Sequence, residues 1–199
     1  MNFLGHLYFS DNKLDLMYAN LFGDFVKGKD LSEFSQLIQD GVHLHRNIDS
    51  YIDHHPIVIE LLHHLYPFLP KISGIAVDII FDHLLSVHWD KYHNTDRKEF
   101  IDNFYNHEIK RDFGSDYFWV VIDKMKEGQW LHKYNSIEGL NKACSGLSNR
   151  ISFPNVLDQA PRVYLENKTL FEKTFHAFMK EAVIHFDDYI SKNIKLNDN

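Results

Sequence analysis

Apolar residues recur along the chain at the three- and four-residue intervals of amphipathic helices, and the alternation typical of a half-buried strand is nowhere convincing. In the first such segment Leu14, Met17, Leu21 and Phe25 share one face. Capping residues, prolines and glycines then predict where each helix begins and ends. The predicted helices cover residues 14–26, 32–53, 56–64, 72–89, 96–113, 116–126, 136–150 and 162–193.

This succession of helices predicts an all-α, single-domain helical bundle over residues 1–199. A chain of 199 residues, of which 44% are hydrophobic and 15% aromatic, can fill one core. The sequence contains no internal repeat and no linker rich in glycine, serine or proline. Bundles of this kind place metal and cofactor sites between facing helices.

The charge balance argues against two classes of partner. With 21 basic and 28 acidic residues the formal net charge is −7, so neither nucleic acid nor an anionic membrane is a favoured partner. Charged residues interrupt the apolar runs well before the roughly 20 residues of a membrane span, and the first residues lack the pattern of a signal peptide. We therefore expect a cytoplasmic protein, while the composition predicts no oligomeric state.

The single cysteine, Cys144, excludes an internal disulfide and a multi-cysteine zinc site. Any metal must therefore be held by imidazole and carboxylate groups. The sequence has 14 histidines, several of them close to acidic residues, and histidine serves as metal ligand, general acid or general base near neutral pH. The histidines therefore indicate where a site should be sought.

One predicted helix places His45, Asp49 and Asp53 on a single face, because these residues follow one another at four-residue spacing. His43 points elsewhere on the same helix. Two interpretations are open. The segment supplies one or two metal ligands with Arg46 near a phosphate, or it forms a solvated polar face with local salt bridges.

The apolar helix predicted over residues 72–89 contains Asp78, Asp82 and His83. Carboxylates in an apolar helix lose favourable hydration unless a cation or hydrogen-bond donors compensate. A bound cation is the economical explanation, since oxygen and imidazole ligands suit Mn, Fe, Zn or Mg. The alternative is that Asp78 caps a helix or pairs with an arginine.

Two further segments carry isolated polar groups among apolar residues. Asn20 and Asp24 lie one turn apart on one predicted helical face, and His6 stands between Gly5 and Leu7 near the start of the chain. Taken alone, a single aspartate in such a place is usually structural. A histidine among apolar neighbours is more often a hydrogen-bonded core residue than a ligand.

Four motifs follow one another along the chain: Asn2-Phe3-Leu4 with His6, residues 20–28, His43-Leu44-His45-Arg46 with Asp49, and Asp82-His83 with His88-Trp89. Together they resemble the acyl-carrier-protein phosphodiesterase family, also called carrier-protein hydrolyases. The resemblance is strong over residues 1–90 and weaker beyond them. That family is distantly similar to the HD-type metal-dependent phosphohydrolases, which implies a bundle resembling the HD-domain fold.

The resemblance implies a reaction and a partner. The reaction is hydrolysis of the phosphodiester that links 4′-phosphopantetheine to a serine of holo acyl carrier protein, by a metal-activated water, which connects the chain with fatty acid biosynthesis. The carrier protein is the substrate. The resemblance also implies a divalent cation, manganese in preference to magnesium, iron or zinc. The implied metal ligands are His6, Asp24, His45 and Asp82.

Other residues of these motifs have supporting roles in the same hypothesis. Arg46 would clamp a phosphoryl oxygen through its planar guanidinium, and His43 or His83 would pass a proton to the departing serine oxygen. Metal-bound imidazoles also need hydrogen-bond partners that orient them. The candidates for that orienting role are Asn20, Asp49 and Asp78.

An acidic carrier protein would need local positive charge on this negatively charged chain. Lys27 and Lys29, which follow Asp24, are the candidates for this contact. Two other functions are open. One is an HD-type phosphohydrolase acting on a nucleotide or other small phosphoester, although no glycine-rich phosphate loop supports a nucleotide. The other is a noncatalytic helical module that binds a carrier.

Overall fold

The computed structural model describes residues 1–194, and this part of the chain is all-helical. Eleven α-helices are joined by turns and three short 3-10 segments, with no strand in the described part. The helices are α1 (Phe3–Tyr8), α2 (Leu14–Phe22), α3 (Gln36–His54), α4 (Pro56–Leu65), α5 (Ser73–Val87), α6 (Arg97–Asn106), α7 (Asp116–Gly128), α8 (Trp130–Lys133), α9 (Ile137–Ser148), α10 (Ala160–Glu166) and α11 (Lys168–Asn193).

The predicted all-α class is confirmed. Six of the predicted helices correspond to α2, α3, α4, α5, α7 and α9 with shifted ends. The pattern predicts neither α1 nor α8, because their six and four residues are too few to establish a helical period. This omission matters, since α1 carries His6.

Two predicted helices differ from the structure. The single helix predicted over residues 162–193 is wrong, because Asn167 separates α10 from α11. The Asn167 side chain donates to the Val163 carbonyl at 2.9 Å, and such local hydrogen bonds compete with helix continuation. The helix predicted over residues 96–113 ends at Asn106, where His107 turns to an extended conformation.

Helix α5 lies at the centre of the bundle, in agreement with its mostly apolar sequence. Most of its residues are buried, and it contacts α1, α4, α9, α10 and α11. Phe81 packs against Phe175 and Phe178, with ring centroids 5.4 and 5.6 Å apart. No helix within residues 1–194 is long and apolar enough to cross a membrane.

Helices α2 and α3 approach each other closely at two glycines. A β-carbon on Gly41 would overlap the Ala19 side chain and the Asn20 backbone, and one on Gly23 would overlap the His45 side chain. Only glycine permits this approach, because it has no side chain. As a result, the end of α2 and the turn after it lie directly against the part of α3 that carries His45.

Asp82 joins the first helix to the central one. Its carboxylate is fully buried and accepts hydrogen bonds from the backbone N–H groups of Asn2, Leu4 and Gly5 at 3.2, 2.7 and 3.0 Å. These N–H groups lack partners within their own helix, and a negative charge is favourable at a helix N-terminus. Asp82 therefore caps α1 from α5 and fixes the backbone immediately before His6.

We expect Asp82→Asn to lower the free energy of unfolding by about 1–3 kcal/mol, because the new amide group would face a backbone N–H and leave it unpaired in the interior. Chemical denaturation measures the change. Asp96→Asn is the matched control, since Asp96 caps α6 at an exposed position and asparagine caps helices about as well as aspartate. Equal losses in the two variants would contradict the buried-cap role.

Candidate active site

His6 on α1 converges with His45 and Asp49 on α3. His6 Nε2 lies 3.3 Å from Asp49 Oδ1, and His45 Nε2 lies 3.2 Å from Asp49 Oδ2. The two imidazole rings are stacked, with centroids 4.2 Å apart and planes inclined by 15°. Each of the three residues offers one ligand atom, and these three atoms all lie within 4.8 Å of one another. The three side chains can therefore hold a metal ion.

Asn20 on α2 determines which nitrogen of His6 faces this group. Its amide nitrogen donates to the His6 carbonyl at 2.9 Å and to Ser10 Oγ at 3.0 Å, so its oxygen must point to His6 Nδ1, 3.0 Å away. Because that oxygen can only accept, Nδ1 carries the proton of the neutral ring. The lone pair of His6 Nε2 is therefore directed at Asp49.

Burial makes this arrangement favourable for a cation. Burial, with a smaller contribution from neighbouring His45, lowers the pKa of His6 to about 4, so the ring is neutral at pH 7. Burial alone would raise the pKa of Asp49, but its hydrogen bond with His45 holds that pKa well below the usual range. An unprotonated nitrogen and an ionised carboxylate thus face each other, and a divalent ion between them would remove their repulsion.

His45 is oriented less firmly than His6. Its Nδ1 atom is buried and has no hydrogen-bond partner among residues 1–194. Only Asp49, the stacked His6 ring and the close contact with Gly23 restrain the imidazole. A buried polar atom without a partner is rare in a folded protein and indicates an additional ligand or a functional constraint.

The group opens into a cavity of about 310 Å³ that is strongly acidic. Besides Asp49, the carboxylates of Asp24, Asp53 and Asp78 line it. The Met1 ammonium forms a 3.0 Å ion pair with Asp78, which leaves the other three carboxylates without a cationic partner from Lys, Arg or the N-terminus among residues 1–194. The cavity therefore has an excess of negative charge, which suits a divalent cation.

Asp82, His83 and His43 are predicted site residues that do not line the cavity. Asp82 is used as the cap of α1, so its placement does not support the predicted ligand role. His83 Nδ1 hydrogen-bonds to the Tyr134 carbonyl at 2.7 Å on another side of α5. His43 is exposed on α3, and neither it nor His83 is among the residues that line the cavity.

Arg46 holds a loop and does not point into the cavity. Its guanidinium donates to the carbonyls of Gly28 at 2.7 Å and Val26 at 3.3 Å. The loop that it holds follows Asp24 and carries the exposed side chains of Lys27 and Lys29. Arg46 therefore connects the loop of the two predicted carrier-binding lysines to the helix that carries His45. Its guanidinium, which was predicted to hold a phosphoryl oxygen, donates to backbone carbonyls instead.

The resemblance implied His6, His45 and Asp24 as metal ligands, and all three line the cavity. It implied an orienting role for Asp49, although the helical face shared by His45, Asp49 and Asp53 left Asp49 open as a ligand. The i, i+4 spacing between His45 and Asp49 was the signal for its closer involvement, because it places both groups at one point of α3. The apolar lining residues Ile75 and Leu147 were missed. They come from α5 and α9, and no local pattern connects either residue with the histidines.

Fold and site together define an all-helical protein in which two histidines and a carboxylate, grouped in an acidic cavity, can hold a metal ion. The family model for acyl carrier protein phosphodiesterase matches residues 1–182. The chain therefore belongs to the acyl carrier protein phosphodiesterase family, and the family predicted from the four sequence motifs is confirmed.

Individual relatives with the same name agree with this assignment. The acyl carrier protein phosphodiesterase of Photorhabdus laumondii is 37% identical over 91 residues, an alignment that covers 46% of each chain. Those of Enterobacter sp. (strain 638) and Salmonella agona are 27% and 24% identical over 152 residues, 75% of this chain and 79% of theirs. No solved structure gives a significant match, so the likeness to the HD-domain fold stays a prediction.

We expect Asn20→Ala to weaken the binding of Mn²⁺ by about 10- to 100-fold, because the hydrogen bond that fixes the ring and tautomer of His6 is lost. Isothermal titration calorimetry measures the affinity. Asn47→Ala is the matched control, since Asn47 also hydrogen-bonds a histidine, His185, through its side-chain oxygen but does not line the cavity. Equal affinities in the two variants would contradict the orienting role of Asn20.

The low pKa of His6 predicts a pH dependence of stability in the metal-free protein. Between about pH 4 and 6.5 the unfolded chain binds a proton at His6 that the folded chain does not bind, so this residue makes stability fall as the pH is lowered. From pH 6.5 to 5 the wild type should lose about 2 kcal/mol more than His6→Gln. Urea denaturation with a chelator present tests this, and parallel losses would argue against a buried neutral ring.

Proposed function

We propose that this chain is a divalent-cation-dependent phosphodiesterase that hydrolyses the bond between 4′-phosphopantetheine and the serine of holo acyl carrier protein. The proposal rests on family membership together with one observation in the structure. This observation is the convergence of His6, His45 and Asp49 in an acidic cavity.

The donor set is suited to a catalytic metal. Two imidazoles and a carboxylate leave coordination positions open, and Asp24, which the family resemblance implies as a ligand, lines the same cavity. Nitrogen and oxygen donors suit Mn, Fe or Zn better than Mg, which prefers oxygen alone. We propose manganese as the ion, as the family resemblance implies.

Electrostatics supports the need for a cation. The phosphodiester substrate is an anion, and the cavity is lined by the carboxylates of Asp24, Asp49, Asp53 and Asp78. A divalent cation bound there would supply positive charge beside the phosphoryl group and make water more acidic. The side chains of His6 and His45 would hold it without adding charge of their own.

The reaction requires one proton acceptor. The oxygen of water forms a bond to phosphorus, the bond from phosphorus to the serine oxygen breaks, and that oxygen takes up the proton that water has given to the acceptor. The products are 4′-phosphopantetheine and apo carrier. We assign the acceptor of the water proton to Asp53, which is exposed to the cavity one turn beyond Asp49, because neither His43 nor His83 lines that cavity.

The loop after Asp24 provides the contact with the carrier. Lys27 and Lys29 are exposed there, three and five residues after Asp24, which lines the cavity. Their positive charge would attract an acidic carrier against the net charge of the chain. Arg46 keeps this loop in place through its hydrogen bonds to Val26 and Gly28.

We expect Asp49→Asn to reduce turnover of holo acyl carrier protein with Mn²⁺ by more than about 100-fold, the upper end of the loss when a group that only supports a metal ligand is removed. Intact mass spectrometry of the carrier measures release of the arm. Asp40→Asn is the matched control, because Asp40 is a buried carboxylate of α3 that hydrogen-bonds Gln36 and does not line the cavity.

The same assay separates the proposed function from its alternatives. Loss of the phosphopantetheine mass from the carrier supports the proposal. An intact carrier combined with hydrolysis of nucleotides would assign the chain to small phosphoesters instead. An intact carrier without any hydrolysis, but with carrier binding, would indicate a noncatalytic module.

A further inference from the structure

One wall of the cavity is apolar and does not take part in the chemistry described above. Phe3 of α1, Ile75 of α5 and Leu147 of α9 line it, and all three side chains are only half-buried. They pack against the core on one side and are open to the cavity on the other. Three helices that are distant in sequence thus present apolar surface to the same space.

This wall and the metal-binding group belong to one cavity of small size. Its volume of about 310 Å³ lies at the lower end of the range of ligand pockets, roughly 300–1,000 Å³. A ligand that fills it must place a charged group beside His6, His45 and Asp49 and an apolar group against the apolar wall. The ligand is therefore amphiphilic, with its apolar part close to its anionic part.

The pantoyl part of phosphopantetheine has this chemistry. Next to the phosphoester it carries a carbon with two methyl groups, whereas the amide groups and the thiol lie further along the arm. We infer that Phe3, Ile75 and Leu147 form a subsite for this branched alkyl group. The inference rests on the proposed function and assigns the side of the cavity on which the arm lies.

The subsite gives the C-terminal half of the chain a role in substrate recognition. Leu147 stands at the end of α9, one turn after the buried Cys144. The side chain is therefore positioned by a helix anchored in the core, while its exposed part contacts the ligand. A contact of this kind discriminates between ligands by the presence of a few methyl groups, an effect of about 10- to 200-fold.

Binding of 4′-phosphopantetheine and of inorganic phosphate to the Mn²⁺-loaded protein tests the subsite without requiring turnover. We expect the wild type to bind 4′-phosphopantetheine more tightly than phosphate, and Leu147→Ala to weaken the first by about 10-fold or more while leaving the second unchanged. Ile137→Ala is the matched control, because Ile137 is an exposed apolar residue of the same helix that does not line the cavity.

A second variant guards against loss of folding. Ile75→Ala should show the same selective effect from α5, and far-UV circular dichroism verifies the fold of each variant. The inference is overturned if the wild type has no preference for the arm, or if the preference survives in both variants. The wild type could also prefer 4′-phosphopantetheine, lose that preference in both variants, and still leave the holo carrier intact. This combination would overturn the proposed function but not the subsite.

Discussion

The hydrogen bonds between the buried Asp82 carboxylate and the first turn of α1 are the constraint on which the site depends. A helix of six residues is not stable by itself, so its position is set by the contacts that it makes with α2 and α5. Burial raises the pKa of Asp82 to about 7, against the opposing effect of the Met1 ammonium and the backbone donors. Because His6 follows the capped N–H groups directly, the junction between α1 and α5 determines where its imidazole lies.

The chemistry of the site follows from what surrounds that imidazole. Burial keeps His6 neutral, and Asn20 directs its free lone pair to the cavity. The close approach of α2 and α3 at Gly41 brings Asn20 and His45 to the same place. A carboxylate at Asp49 completes the group. Packing and metal binding are thus two consequences of one arrangement, since the contacts that exclude water from His6 also prepare it as a ligand.

The cavity combines contributions from both halves of the chain. Its charged residues come from α1, α3, the turn after α2 and, with Asp78, α5, and they lie within residues 1–90, where the chain resembles the family most strongly. Its apolar side requires α5 and α9, and Leu147 belongs to a segment with little motif of its own. This division gives a physical reason for a family model that extends to residue 182: the chemistry is encoded early, whereas the shape of the binding space needs the later helices.

The sequence by itself determined the features that depend on local spacing. It predicted the helical class, most helix ends to within two residues, and the shared face of His45 and Asp49, because neighbours three or four residues apart must lie together on a helix. The order of motifs also predicted the family. Only the folded chain shows that Asp82 caps α1, that Arg46 holds a loop, and that Leu147 reaches the cavity. These outcomes depend on partners distant in the chain, and a buried carboxylate is stabilised equally well by a cation or by backbone N–H groups, so its residue type does not distinguish between the two.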